Sequence, residues 1–433
     1  MSISQIFQDF LENIRITNEE QITLRYQEIT AALNKKFRET ESKTSNQLQV
    51  GSYGRWTAIN GISDLDMLYI MPATSWDTYK NDQYKLLKEV KDAILLRYPR
   101  TTVFVDRLVV CVEYTNFYVE VQPVFKLEDG SYKYPDTYYG GSWKITKPQA
   151  EIDAMRAMNA QTNRNLRRLC KMIRAWKNTQ GLSMGGLLID TLAYNFLKST
   201  ADYNNKSYLY YDWLSRDFFK FLADQPERDH YQALGSNQDV KVKTKFQEVA
   251  QQAYELSLEA IELGDDDKAC DKWRAIYGRN FPKSSSKMAV DSFQLSLESL
   301  RYQNTEEFIE NQFPIDIRYN LKIESEIKKD GQFVDFLRYF KRSRKKLPHG
   351  RELNFYIKEN DVPNTIPSFI KWKVLNRGEE AKRRNCIRGQ IINDSGNGRI
   401  SEHASFNGDH IVECYVIQNG VVVAKDRIYV PIE

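Results

Sequence analysis

The stretch that most limits the fold is SDLDMLYIMP, residues 63–72, which sets two carboxylates two positions apart at the head of an otherwise apolar run. Side chains alternate along a strand, so Asp64 and Asp66 share one face while Leu65 and Met67 take the other. Like charges so placed are costly unless a cation neutralises them, and an all-oxygen donor set suits Mg²⁺ or Mn²⁺ rather than zinc. Just upstream, the apolar run Leu48–Val50 ends on Gly51-Ser52. Glycine lets backbone approach a phosphate closely, and Ser52 with the first N–H groups of a following helix can cradle a triphosphate. The expectation is a strand–turn–strand site for a nucleoside triphosphate and a divalent metal.

The order Gly-Ser, spacer, Asp-x-Asp resembles the active-site signature of the polymerase-β-like nucleotidyltransferases. That family needs a third carboxylate on a neighbouring strand. Two β-rich runs, Thr102–Tyr114 and Phe117–Phe125, are expected to be joined by a turn at Thr115-Asn116. On the second run Tyr118, Glu120 and Gln122 share one face, and Val119 and Val121 the other. Glu120, three residues before Pro123, resembles the family's third acid, with Glu113 and Asp106 as the other candidates. Aspartate is commoner there, and glutamate is longer by one carbon–carbon bond, roughly 1.5 Å. By this resemblance Asp64, Asp66 and Glu120 are the catalytic acids and hold two Mg²⁺ ions, with Mn²⁺ as a substitute.

A chain of 433 residues, 41% hydrophobic and 28% charged, is ordinary for a globular protein of two or three domains. The formal charge of +4 is too mild to require long nucleic acid as a partner. Cys111, Cys170, Cys270, Cys386 and Cys414 are scattered and odd in number, which argues against disulfide scaffolding and for a reducing cytoplasm. Cys386, His403, His410 and Cys414 lack the paired spacing of a zinc site. No apolar run approaches the ~20 residues that span a bilayer, and the amphipathic, acid-bearing MSISQIFQDFLENI is unlike a signal peptide. A cytoplasmic protein with no membrane partner is expected.

Along the chain, helices are predicted over 3–14, over 19–40 behind a capping box at Thr17–Glu20, and over 82–97. Residues 126–142 read as a connection, and Thr146 and Pro148 mark a helix start. The helix Asn163–Asn178 carries Leu166, Leu169, Cys170 and Ile173 on one side and Arg164, Arg167, Arg168, Lys171 and Arg174 on the other. Residues 181–197 read as the next core helix, 200–300 as mostly helical with a helix over 250–269, and Pro282 with Ser284–Ser286 as a break. The basic run Lys341–Lys346 reads as a solvated linker. From about Asp316 the character turns to alternating strands, with Asn419-Gly420 a hairpin turn.

Trp143, Thr146, Pro148 and the IRAWKN stretch resemble the core of bacterial cyclic-oligonucleotide synthases of the cGAS/DncV-like group, with Arg174 where lysine is usual. Trp372, Asn376, Gly378, Arg388-Gly389 and Gly408-Asp409-His410 resemble the AGS-C sensor domain that accompanies some of them. The resemblance implies an α+β fold: a nucleotidyltransferase palm over 1–145, a helical lobe over 146–300, and a small all-β domain within 301–433. It further implies nucleotide binding by Gly51, Ser52, Lys171, Arg174 and Ser183, and nucleoside triphosphate substrates. The product would be a cyclic di- or trinucleotide that acts on a downstream effector in anti-phage defence. The zinc ribbon of the animal DNA sensor in the superfamily has no counterpart here. Transfer to RNA or to a small molecule, and nucleotide binding without catalysis, are the alternatives.

Overall fold

The computed structural model describes residues 2–115, 117–264, 266–283, 305–342 and 346–433. Two helices, α1 (Ile3–Asn13) and α2 (Glu19–Arg38), precede β1 (Gln47–Gln49), the one-turn α3 (Gly51–Gly54) and β2 (Asp64–Ile70). Then come α4 (Trp76–Tyr79), α5 (Gln83–Arg97), β3 (Val103–Asp106), β4 (Val109–Glu113), β5 (Tyr118–Lys126), β6 (Tyr132–Asp136) and β7 (Ser142–Thr146). The strands form a seven-stranded sheet in the order β1-β2-β5-β4-β3, with β6 joined to β5 and β7 to β6. Leu65, Met67, Tyr69, Val119 and Val121 are buried under α2 (Ile22, Tyr26, Ile29, Leu33) and α5 (Leu86, Leu87, Val90, Ile94). Alternation therefore turns the acidic positions of β2 and β5 to the uncovered face.

Several local expectations change. The run 102–114 is a hairpin, not one strand: the chain reverses at Arg107-Leu108, with Arg107 at φ +42°. An apolar leucine in the turn hid it. The 126–142 connection contains β6 and the start of β7. Asn18 caps α2 without a side-chain bond, so the capping box does not form. Residue 116 of the expected 115–116 turn, Ser284–Ser286 and residues 343–345 of the basic run lie outside the described residues.

The helical lobe contains α6 (Pro148–Gln161), α7 (Asn165–Gln180), α8 (Gly186–Ser199), α9 (Tyr211–Ala223), α10 (Gln247–Leu263) and α11 (Asp267–Tyr277), with the small hairpin β8 (His230–Gln232) and β9 (Asp239–Lys241). Arg164, at φ +69°, breaks the expected helix from 163 so that α7 starts afresh at Asn165, and the helix expected over 250–269 is two. The core of this lobe also takes in Ile6, Phe7 and Phe10 of α1, which pack on Trp273, Tyr277 and Phe281.

The C-terminal part is all-β apart from two short helices, α12 (Leu337–Arg342) and α13 (Glu379–Arg383). One sheet joins β10 (Leu321–Lys329), β11 (Gln332–Phe336), β12 (Glu352–Asn360) and β15 (Arg399–His403) in the order β11-β10-β12-β15. The other joins β13 (Ser368–Leu375), β14 (Arg388–Asn393), β16 (Gly408–Gln418) and β17 (Val421–Ile432) in the order β14-β13-β16-β17. Ile323, Ile327, Leu353 and Phe355 meet Trp372, Val412, Cys414, Val416 and Val423 between them. Asn419 and Gly420, both at positive φ, make the expected β16–β17 turn. Among the described residues no helix is long and apolar enough to cross a membrane.

Candidate active site

Strands β2 and β5 run parallel with Asp64 beside Tyr118 and Asp66 beside Glu120. Asp64, Asp66 and Glu120 therefore project from one face of two adjacent strands. Burial, then the neighbouring charge of Asp64, lifts the Asp66 carboxyl to about 6. Burial, then Asp66 and Asp64, lifts Glu120 to about 8. Asp64 is also raised, by burial against the opposing pull of Arg318. Of the other candidate acids, Glu113 accepts a bond from the Tyr118 hydroxyl at 3.2 Å on the far side of β5. Asp106 lies at the exposed end of β3.

Gly51 abuts the second aspartate. A Cβ there would stand 1.8 Å from Asp66 Oδ2, and its φ is +64°, so the position admits only glycine. The first-turn N–H groups of Ser52 and Tyr53 have no intrahelical partner. Gly51, Ser52, Arg55, Asp64, Asp66, Arg174, Lys177, Lys243 and Asp316–Tyr319 line one cavity of about 330 Å³, within the usual size of a small-ligand pocket. Arg55, just past the Gly-Ser turn, donates to Asp190 at 2.8 Å and to Glu151 at 3.3 Å. This buried joint sets α3 against the helical lobe. Lys243 Nζ lies 5.9 Å from the Tyr319 ring centroid, and burial followed by Lys177 and Arg318 lowers its pKa.

Three expected nucleotide contacts are placed differently. Lys171 opens into a separate cavity with Arg15, Glu19, Tyr53 and Trp56, because the turn of α7 carries it to the other side of α3. Arg174 lines the main cavity and gives three of its five N–H groups to Asp190 at 2.7 Å, Cys170 O at 3.2 Å and Gly186 O at 3.1 Å. Ser183 donates to Arg318 O at 2.6 Å and so ties down a C-terminal segment. In the β domain His410 accepts from Arg377 N–H through Nδ1 and contacts Phe406 O through Nε2, and Cys414 is fully buried.

Two family descriptions match the chain: "Second Messenger Oligonucleotide or Dinucleotide Synthetase domain" over residues 1–159, and "Adenylyl/Guanylyl and SMODS C-terminal sensor domain" over residues 303–433. The chain carries a SMODS synthetase domain at one end and an AGS-C sensor domain at the other. It is similar to the cyclic AMP-AMP-AMP synthase of an Acinetobacter species, 26% identical over 58% of this chain and 77% of that protein. It also resembles a probable cyclic nucleotide synthase of Bacillus cereus, 20% identical over 54% of this chain and 81% of that protein. A chain of the E. coli MS115-1 CdnC:HORMA-deltaN complex shares the fold, with a TM-score of 0.50 at 14% identity over 64% of this chain and 98% of that one.

Three further cations line the cavity, Lys177, Lys243 and Arg318. Lys177 stands one turn beyond Arg174 in the same IRAWKN stretch. Asp316 and Arg318 form an i, i+2 charged pair in an extended, otherwise apolar segment, a pattern that marks one shared face. Among the described residues no three His, Cys, Asp or Glu side chains close on one point tightly enough to hold an ion as they stand. The donor set still fits a divalent metal in kind. It has three hard carboxylates on one face, each raised first by burial, and Arg318 Nη2 already stands 3.1 Å from Asp64 Oδ1 as a cation.

A stability test follows from the same charges. Folded Glu120 holds its proton between its ordinary 4.5 and about 8, where the unfolded chain has lost it. Metal-free wild type therefore loses stability relative to Glu120→Gln as pH rises through that window. Urea midpoints of both proteins across it check this, and a constant difference between them contradicts the placement of Glu120 among the acids.

Proposed function

We propose that the protein is a cyclic oligonucleotide synthase that joins nucleoside triphosphates into a cyclic di- or trinucleotide with release of pyrophosphate. The observation that carries this reading is the register of β2 and β5, which aligns Asp66 with Glu120 on the face opposite the helices. We divide the enzyme into a palm over 1–145, a lobe over 146–300 and a sensor region over 301–433. It would act in the cytoplasm on triphosphates alone, with no long nucleic acid required, and its product would reach a downstream effector in defence signalling.

In this mechanism Ser52 and the α3 N–H groups take the donor's phosphates, and Lys243 offsets their charge. A ribose hydroxyl of the second nucleotide attacks the α-phosphorus, a new P–O bond forms, and the α–β bridging bond breaks. Glu120 receives the hydroxyl proton, and pyrophosphate carries away the charge. Divalent metal bound by Asp64, Asp66 and Glu120, Mg²⁺ with Mn²⁺ as a substitute, would supply Lewis acidity at the α-phosphate and the attacking hydroxyl. Ring closure repeats the step with the linear intermediate turned in the pocket.

The test is incubation with each labelled triphosphate singly and in pairs, beginning with ATP because the Acinetobacter relative is named for an all-adenine product. A phosphatase-resistant product, mapped by nucleases, is expected. A labelled polymer or a modified acceptor would favour transfer to RNA or to a small molecule instead. Glu120→Gln is expected to lose product while Glu113→Gln keeps it, and the reverse outcome moves the third acid to Glu113.

A further inference from the structure

The C-terminal domain reaches into the catalytic site through the segment 314–320. On one side this strap is bridged in parallel to β17 at Ile315 and Val422: Asp316 N–H donates to Val422 O at 3.1 Å, Arg318 N–H to Val423 O at 2.8 Å, and Val422 N–H to Pro314 O at 2.9 Å. On the other side it is clamped to α7. Asn178 Nδ2 donates to Ile315 O at 2.8 Å and its Oδ1 accepts from Ile317 N–H at 3.1 Å. Lys177 Nζ donates to Asp316 Oδ1 at 2.9 Å and to Ile317 O at 2.7 Å. Strap and β domain are thus one body, seated across the lobe.

Seated there, Arg318 meets the first catalytic acid. Its Nη2 lies 3.1 Å from Asp64 Oδ1 and also contacts Ser63 Oγ, while its Nε donates to Asp316 Oδ2 at 2.9 Å. A guanidinium and a divalent ion on one carboxylate repel at short range. On the Glu120 side the room is also taken: the cavity among Glu120, Tyr118, Arg318, Tyr319 and the β16–β17 turn holds about 110 Å³, below the ~300 Å³ at which nucleotide-sized ligands are usually accommodated. The donor side keeps its 330 Å³.

We propose that this is an autoinhibitory latch: the AGS-C domain seats Arg318 on Asp64 in competition with the metal and roofs the acceptor nucleotide's place, and release of the strap opens both. The proposal rests on the metal-site reading above. Any ligand that binds the released form better shifts the enzyme toward activity.

The test is Mn²⁺ binding, read by electron paramagnetic resonance, on chelator-stripped full-length protein. Arg318→Ala is expected to bind Mn²⁺ about tenfold or more tightly than wild type, the scale of one charge-assisted bond removed from the competition. Asn178→Ala, which loosens the strap without touching the acids, is expected to bind several-fold more tightly. Unchanged or weaker binding in both overturns the latch, and a gain confined to Arg318→Ala reduces to removal of one charge and overturns it as well. Asp64→Asn with Asp66→Asn separates the two readings. If that variant binds Mn²⁺ like wild type, the metal site itself is misplaced and the latch falls with it.

Discussion

Asp64→Asn combined with Asp66→Asn is expected to leave a folded protein that makes no detectable cyclic product. The carboxamides keep the shape of the side chains but remove the charge that a divalent metal requires. Several kcal/mol of transition-state stabilisation go with it, a loss on the order of 10³-fold or more in turnover. Folding should not suffer. These acids repel each other and Glu120, so the variant should unfold at the wild-type denaturant concentration or above it near pH 8. Product formation and urea unfolding measured on one preparation separate the two effects. Turnover within tenfold of wild type would remove both aspartates from the reaction, and a midpoint far below wild type would make their role structural.

The largest stability loss is expected from Asp190→Ala. Asp190 is fully buried on α8 and accepts from Arg55 Nε at 2.8 Å, Arg174 Nη1 at 2.7 Å and Thr57 Oγ1 at 3.0 Å. Burial alone would raise its carboxyl, but Arg174 and Arg55 outweigh that and hold it at about 2. Its removal strands two buried guanidinium groups with Glu151 as the remaining acid, at a cost of about 3–5 kcal/mol, a large share of a domain's ~5–15 kcal/mol. The charge joins the Gly-Ser turn to the lobe, so faster amide hydrogen exchange should appear in both α7–α8 and residues 51–58. A surface control such as Glu41→Ala, which loses the exposed Lys35 pair, should shift stability far less, because solvent screens an exposed ion pair. Equal effects from the two variants would contradict the structural reading of the cluster.

The fates of individual residues show how far one-dimensional pattern reaches. Leu65, Met67, Val119 and Val121 are legible as core and Asp64, Asp66 and Glu120 as their opposite face, because a strand's period of two is local. Arg174 lies on a basic helical face that suggests phosphate contact and does line the cavity, but its ion-pair partner Asp190 lies sixteen residues on, in the next helix. Lys171 shares that face by the wheel but opens on the far side of α3. The Arg107-Leu108 reversal went unread because its residues are not those that usually signal a turn. The alternation around Asp316 and Arg318 puts them on one face, but only docking brings that face to the acids.

By itself the sequence determined the N-terminal helices, the strand face that bears the acids, the glycine at the Gly-Ser turn, and the switch from helical to β character near residue 316. Each depends on chain-neighbour sterics and on the alternation of apolar and polar side chains. Only the tertiary structure decided that Glu120 stands beside Asp66, that Arg174 pairs with Asp190, and that Arg318 sits on Asp64. Register, buried charge pairing and domain docking depend on contacts between residues far apart in the chain, and these are selected by the packing of the whole molecule.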